Sequence, residues 1–397
     1  MIPRHRLDID WRHLAAGLWD AVRPGDAAPL LAPALTYWLG TAPALVCLSV
    51  RSGFDAVLAT CAFPPGSEIV FSGITIRDMP RIAEAHGVAV VPVPVEPARL
   101  AIGVDDLAAC CTPRARAVVV AHLFGSRMPL DAVAAFCRAR GLLLIEDCAQ
   151  AYAGRGYAGH PESDVAMFSF GVIKTATALG GAVLRFREAA LRERVAAHMA
   201  AWPRQPRIEF VRRLARFAVL KILSWRPLFT TVFALLAAGG RADAVLNASA
   251  RGFAGADFFA RIRRRPSVSL QRLLARRLAE DSAARIAARA ERGARFAAQL
   301  PATVRIGAAA AHHTHWICPV RSRDPAGLIA RLRTAGFDAT QGASNMESIA
   351  PTDGEPVINA LHDVVYLPAH AGASGGDLDR LVDCIVAADG HRAAPAR

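Results

Sequence analysis

Residues 118–147 read VVVAHLFGSRMPLDAVAAFCRARGLLLIED. The apolar run 116–123 predicts a buried strand. Residues 129–141 start at a proline, end at Gly141 and place apolar side chains at helical spacing, which predicts an amphipathic helix. Residues 142–147 predict a second buried strand, with Glu146 and Asp147 at its carboxyl end. Buried strands joined through a helix indicate a parallel sheet covered on both faces.

The same alternation extends in both directions. Residues 45–50, 68–73, 88–95, 164–170 and 180–186 read as extended runs, and 78–86 as a helix stopped by His86-Gly87. Arg51-Ser52-Gly53 reads as a turn, with a helix from Phe54 to Cys61. In such sheets ligands bind beyond the carboxyl ends of the strands. Asp147, the Ser52-Gly53 turn and Lys174 all fall at that edge. Lys174 stands out further: it is a lone amine in the apolar stretch 168–184, and Lys221 is the only other lysine in the chain.

The expected organisation is an N-terminal arm (1–30) with one helix over Trp11–Val22, a large domain (31–205), an apolar but basic helical insertion (206–260), and a long helix with a small α/β domain (261–397). The long helix is expected over 267–300, a strand over 313–320, helices over 324–336 and 376–388, and a strand over 364–368. In the insertion, arginines interrupt a Trp-, Phe- and Leu-rich run whose longest uncharged stretch, 227–240, is too short to span a bilayer. It suits either a helical hairpin lying in a membrane interface or helices buried against the protein or a partner subunit.

A net charge of +13 favours anionic partners without choosing among them. The basic residues are scattered rather than striped, so nucleic acid is not expected. The eight cysteines form no CxxC pair and read as small buried hydrophobes in a reducing compartment. The charged N-terminus reads as carrying no secretion signal. His122, His313 and His315 lack the further ligands of a metal site and read as core or pocket residues; no metal is expected. His370 is a candidate for substrate contact. The run 261–265 reads as a solvated arginine face or an anion site.

A lysine can form a Schiff base with a carbonyl. A buried carboxylate can hold a pyridinium nitrogen, and a helix N-terminus can hold a phosphate. These are the three handles of pyridoxal 5′-phosphate (PLP). With them the chain resembles the DegT/DnrJ/StrS-type sugar aminotransferases of PLP fold type I. The resemblance rests on PPGSEIVFSG (64–73), on residues 118–154 ending in EDCAQAYAG, on FSFGVIKTATALGGAVL (168–184) and on YLPAH (366–370). It implies a large domain with a mostly parallel, seven-stranded-type sheet between helices, and a smaller C-terminal α/β domain.

The resemblance also implies roles. Lys174 is the Schiff-base lysine and proton carrier, Asp147 pairs with the pyridine nitrogen, and Gln150 lies near the phenolic oxygen. Ser52, Ser169 and the backbone amides of Gly53 and Phe54 hold the phosphate. Ile76 occupies the place of the usual stacking aromatic. Phe54 replaces a threonine, the Lys174–Gly180 loop is one residue short, and Arg263–Ser267 replaces an Asn-x-Arg-Met-Ser segment. The implied reaction moves an amino group, typically from glutamate, to the keto group of a sugar or lipid-linked precursor. A homodimer is implied. The cysteines and the charged N-terminus point to the cytoplasm, and the composition of the insertion allows peripheral contact with the inner membrane through 208–240. The alternatives are a degenerate relative acting as a PLP-binding regulator or scaffold, and a basic binding protein without chemistry.

Overall fold

The computed structural model describes residues 1–4, 7–240, 242–250, 253, 257–341, 346–349, 361–370 and 372–390. The chain opens with α1 (Trp11–Val22), which has the expected bounds, and α2 (Ala28–Leu39), which the sequence reading lacks. Pro29 in the first turn of α2 suits a helix start, where its missing N–H has no partner to lose.

The alternating part follows as β1 (Ala44–Cys47), α3 (Val50–Cys61), β2 (Glu68–Ser72), α4 (Asp78–Ala85), β3 (Ala89–Val93), α5 (Val104–Cys110), β4 (Ala115–Ala121), α6 (Asp131–Ala139), β5 (Leu143–Asp147), β6 (Val165–Ser169), β7 (Ala182–Phe186) and α7 (Ala189–Ala200). The seven strands make one sheet in the order β1-β7-β6-β5-β4-β2-β3. Only β7 runs against the others, pairing antiparallel with β1 and β6. This is the mostly parallel sheet expected. Ile69, Phe71, Val119, Ile145 and Met167 point to the face covered by α3, α4 and α7. Val70, Val118, Val120 and Leu144 face the other way, toward α5 and α6. Ala166, Phe168 and Val183 complete that second face under α1, α2 and the later helix over Val268–Ala279. Asp147 stands level with Ala121 and Met167, so the strand register brings β4, β5 and β6 to one carboxyl edge.

The insertion comprises α8 (Arg207–Leu223), α9 (Arg226–Ala238) and α10 (Ala242–Ala250), followed by the short α11 (Phe258–Ile262). Positions 241, 251–252 and 254–256 of the expected insertion lie outside the described residues. Among the described residues no single helix is long and apolar enough to cross a membrane, and α8 and α9 meet at 97°.

The long helix expected over 267–300 is two, α12 (Val268–Ala279) and α13 (Ala283–Gln299). Glu280 leaves the helix in an extended conformation, takes ion pairs from Arg12 and Arg277 and a hydrogen bond from His13, while Asp281 accepts a hydrogen bond from Ala283 N at 3.0 Å. Local side-chain bonds here compete with the ladder and win. The strand expected over 313–320 is also divided. His312–His313 pairs with Ser126–Arg127, His315 turns left-handed at φ 47°, and β8 (Cys318–Arg321) then begins. β8 pairs with β9 (Val364–Leu367), and α14 (Pro325–Thr334) and α15 (Gly375–Gly390) pack beside them around a separate apolar cluster.

Gly125 joins these two halves. Its φ is +96°, and a Cβ there would lie 2.7 Å from the Trp316 backbone nitrogen. Gly125→Ala is therefore expected to destabilise the protein by about 1–3 kcal/mol, read from the shift of the urea unfolding midpoint at unchanged slope.

Candidate active site

The turn expected at 51–53 is instead the first turn of α3. Ser49 is extended and its Oγ accepts from Ser52 N at 3.1 Å, capping a helix that begins at Val50. The shift moves the candidate phosphate site. Gly53 N donates to Ser49 O at 3.1 Å, within the helix. Phe54 is fully buried, with its ring against Phe71. Ser52 is fully buried against Ser49. A Cβ at Gly53 would come within 2.5 Å of Leu184 Cδ1, so the glycine there serves close packing of helix on sheet. The residues that α3 and its cap present to the adjoining cavity are Ser49, Val50 and Arg51 rather than Ser52, Gly53 and Phe54. First-turn amides such as those of Val50 and Arg51 have no intrahelical acceptor and face an anion favourably. Arg51 is held by Asp78.

That cavity has a volume of about 420 Å³ and lies at the carboxyl edge of the sheet. Asp147, Gln150, Ser169, Ile76 and Lys174 all line it. Asp147 is 7 % exposed, and its Oδ1 accepts from Ala149 N at 2.9 Å. Burial raises its pKa, partly opposed by the Ala149 hydrogen bond and the charge of Lys174. Gln150 is fixed through its Oε1, which accepts from Phe124 N at 2.8 Å. Ser169 ends β6, and its Oγ accepts from Gly171 N at 3.4 Å. Ile76 is half-buried in a short strand pair with Met346.

Lys174 sits in a tight loop after β6. Burial lowers its pKa to about 7, against the opposing pull of Asp147, with the charge of Arg51 adding to the depression. Its Nζ lies 4.1 Å from the centre of the Trp316 ring, whose Nε1 donates to Ile173 O at 3.0 Å. Lys174 and Asp147 form no ion pair, although both line the cavity. The shortness of the loop shows in its backbone: Ala176 and Leu179 take positive φ values of 53° and 61° without being glycine. Neighbours hold it there. Asp8 accepts from Ala176 N at 2.7 Å, Arg277 donates to Thr177 O at 3.1 Å, and Arg213 donates to Leu179 O at 3.1 Å.

Several residues of this site went unread in the sequence. Trp316 was hidden inside a presumed strand. Ser49 competes with Ser52 as a cap by composition alone. Arg212, Arg213 and Arg216 of α8 also line the cavity, and burial lowers the pKa of Arg213. Of the 261–265 run, Arg261 lines the cavity, Arg263 pairs with Asp55, Arg264 with Glu209, and Arg265 binds Trp202 O.

His313 and His315 stack with centroids 4.0 Å apart, and burial depresses their pKa values to about 3 and about 4. They are half-buried and packed on each other rather than placed in the cavity wall. His370 Nε2 bonds Pro3 O at 2.9 Å, and His370 does not line the cavity. His122, Glu146 and Cys148 bring ligand-type atoms within 4.8 Å. Glu146 is saturated there, accepting from His122, Tyr157, Ser163, Cys148 and His160 N. His122 Nδ1 accepts from Met128 N, so Nε2 carries the proton toward Glu146. This network anchors the β5 terminus that bears Asp147.

An amine of lowered pKa, a desolvated carboxylate and a helix N-terminus around one cavity fit PLP by donor chemistry. Comparisons with known proteins agree with this chemistry. Residues 18–201 match the sequence model of the DegT/DnrJ/EryC1/StrS aminotransferase family. A dTDP-4-dehydro-2,3,6-trideoxy-D-glucose 4-aminotransferase of Saccharopolyspora spinosa is 34 % identical over 141 residues, 34 % of this chain and 36 % of that protein. An L-glutamine:2-deoxy-scyllo-inosose aminotransferase of Streptoalloteichus tenebrarius is 31 % identical over 189 residues, 46 % of this chain and 44 % of that protein. The sequence matches thus span less than half the length of these curated relatives. In fold, the aminotransferase TlmJ of Streptoalloteichus hindustanus matches with a TM-score of 0.72 at 20 % identity, covering 98 % of this chain and 99 % of that one. The sugar aminotransferase CalS13 of Micromonospora echinospora matches at 0.67 and 18 % identity, covering 98 % and 100 %. Residues 18–201 thus resemble the DegT/DnrJ/EryC1/StrS aminotransferase family in sequence, and the chain shares the fold of solved aminotransferases.

Proposed function

We propose that the protein is a PLP-dependent aminotransferase that moves an amino group, from glutamate or a similar donor, to the keto group of a sugar or lipid-linked precursor. The observation that carries this reading is Lys174, an amine of lowered pKa lining the same cavity as Asp147 without pairing to it. Residues 31–205 form the cofactor-binding unit in this reading, flanked by the arm 1–30, the insertion 206–260 and the C-terminal unit 261–397. The assembly is a homodimer in the cytoplasm, a placement supported by eight free cysteines, with peripheral membrane contact through the insertion.

When bound, PLP supplies an aldehyde that takes up amines and a ring that accepts electrons from a broken C–H bond. The protein's part is positional and protonic. Ser169 and the first turn of α3 at Ser49–Arg51 hold the phosphate. Asp147 would offer its carboxylate to the ring nitrogen, and Gln150, fixed by Phe124 N, would serve the ring oxygen. Lys174 Nζ, with a pKa lowered to about 7 and so a large neutral fraction near that pH, would take a proton from the substrate carbon and return one to its partner position. The indole of Trp316 keeps that amine at the cavity wall. Ile76, which lines the same cavity, would offer an aliphatic side chain to that ring.

The protein loaded with PLP should lose its visible absorption band when glutamate is added and yield 2-oxoglutarate, and Lys174→Ala should abolish both. Retained conversion in that variant contradicts the reading.

A second outcome needs no cofactor. Lys174 binds fewer protons in the folded than in the unfolded chain between about pH 7 and its ordinary value of 10.5, so its contribution to stability rises with pH across that window. Relative to Lys174→Met, the PLP-free wild type should therefore gain stability from about pH 7 to pH 10 in urea unfolding. Parallel pH profiles would show that the amine is not desolvated.

A further inference from the structure

The large apolar side chains left in solvent are concentrated on two neighbouring helices. On α1, Trp11, Leu18, Trp19 and Val22 are 47–72 % exposed, and Trp11, Ala15, Leu18 and Val22 follow helical spacing along one outward face. On α8, Ile208, Val219 and Ile222 are each more than half exposed, with Trp225 just beyond the helix end at 68 %. The two helices touch: Gly17 of α1 packs against Leu214 of α8, and Lys221 lies 5.9 Å from the Trp11 ring and donates to Ile9 O. Their inner faces rest on α12. The second helix of the insertion differs, because Phe229 and Phe233 of α9 turn inward to a small cluster of their own. The exposed apolar surface thus gathers on α1 and α8 more than on α9.

We propose that this α1–α8 face docks on an anionic lipid bilayer. Charge selects that occupant. Arg207, Arg212 and Arg216 are exposed on α8 and have no ion-pair partner among the described residues. The one acid of α8, Glu209, is paired with Arg264. Two copies of this face meeting about a twofold axis would bring their unpaired arginines together, whereas lipid phosphates neutralise them. Three tryptophans on an otherwise aliphatic surface suit the headgroup boundary, where an apolar ring and a polar N–H are both satisfied.

The placement deepens the proposed function and rests on it for its meaning. Successive positions around α8 run from the apolar strip through Arg212 and Arg216 to Arg213, and these arginines line the cavity that holds Lys174. A docked protein therefore opens its cavity at headgroup level, where the phosphate of a lipid-linked keto sugar lies.

The test is flotation of the PLP-loaded protein with vesicles, scored without any measure of activity. The wild type should float with phosphatidylcholine vesicles containing phosphatidylglycerol, not with pure phosphatidylcholine, and added salt should release it. Trp19→Glu and Ile222→Glu, each at an exposed position, should weaken binding about tenfold or more. Leu235→Glu, exposed on α9, should not. Absence of wild-type flotation overturns the proposal, as does equal loss in Leu235→Glu. So does a change of oligomeric state in Trp19→Glu and Ile222→Glu with vesicle binding intact, which would assign the face to a second copy. Each of these outcomes leaves the glutamate reaction to be judged separately.

Discussion

An amine and a carboxylate are withdrawn from water at the same sheet edge without neutralising each other. Burial lowers the pKa of Lys174 and raises that of Asp147, and their mutual attraction offsets only part of either shift. A chain selected only for stability would have closed the gap with an ion pair or replaced both groups by apolar ones. The separation persists because each group is tied to its own support. Asp147 ends a fully paired central strand and is backed by the Glu146 network. Lys174 rides on a loop held by Asp8, Arg277 and Arg213.

Those supports come from distant parts of the chain. Asp8 belongs to the N-terminal arm, Arg213 to the insertion and Arg277 to α12, and all three bind backbone of the short loop. The left-handed Ala176 and Leu179 show that the loop would not take this path unaided. The arm and the insertion are thus structural partners of the site as well as surface elements.

The central sheet was legible because its strands are buried on both faces and therefore spell continuous apolar runs. Asp147, Gln150, Ser169 and Lys174 were legible because each follows such a run closely. What failed was finer. Ser49 and Ser52 are equally good caps by composition, and the choice between them turns on Gly53 fitting against Leu184, a contact absent from local sequence. Trp316 escaped because the left-handed turn at His315 breaks the alternation that a strand reading assumes. The break after α12 depends on the ion pair of Glu280 with Arg12 and its hydrogen bond with His13, both residues of α1. In the insertion, composition announced a greasy, basic segment, but only packing shows that α9 turns its phenylalanines inward while α8 leaves its outer face open.

The most direct measurement is reduction of the PLP-loaded protein with borohydride followed by peptide mass mapping. The chain offers two lysines only, Lys174 in the cavity and Lys221 on α8. The account predicts the pyridoxyl mass on the peptide containing Lys174 and nowhere else. Label on Lys221, or on neither, would contradict it.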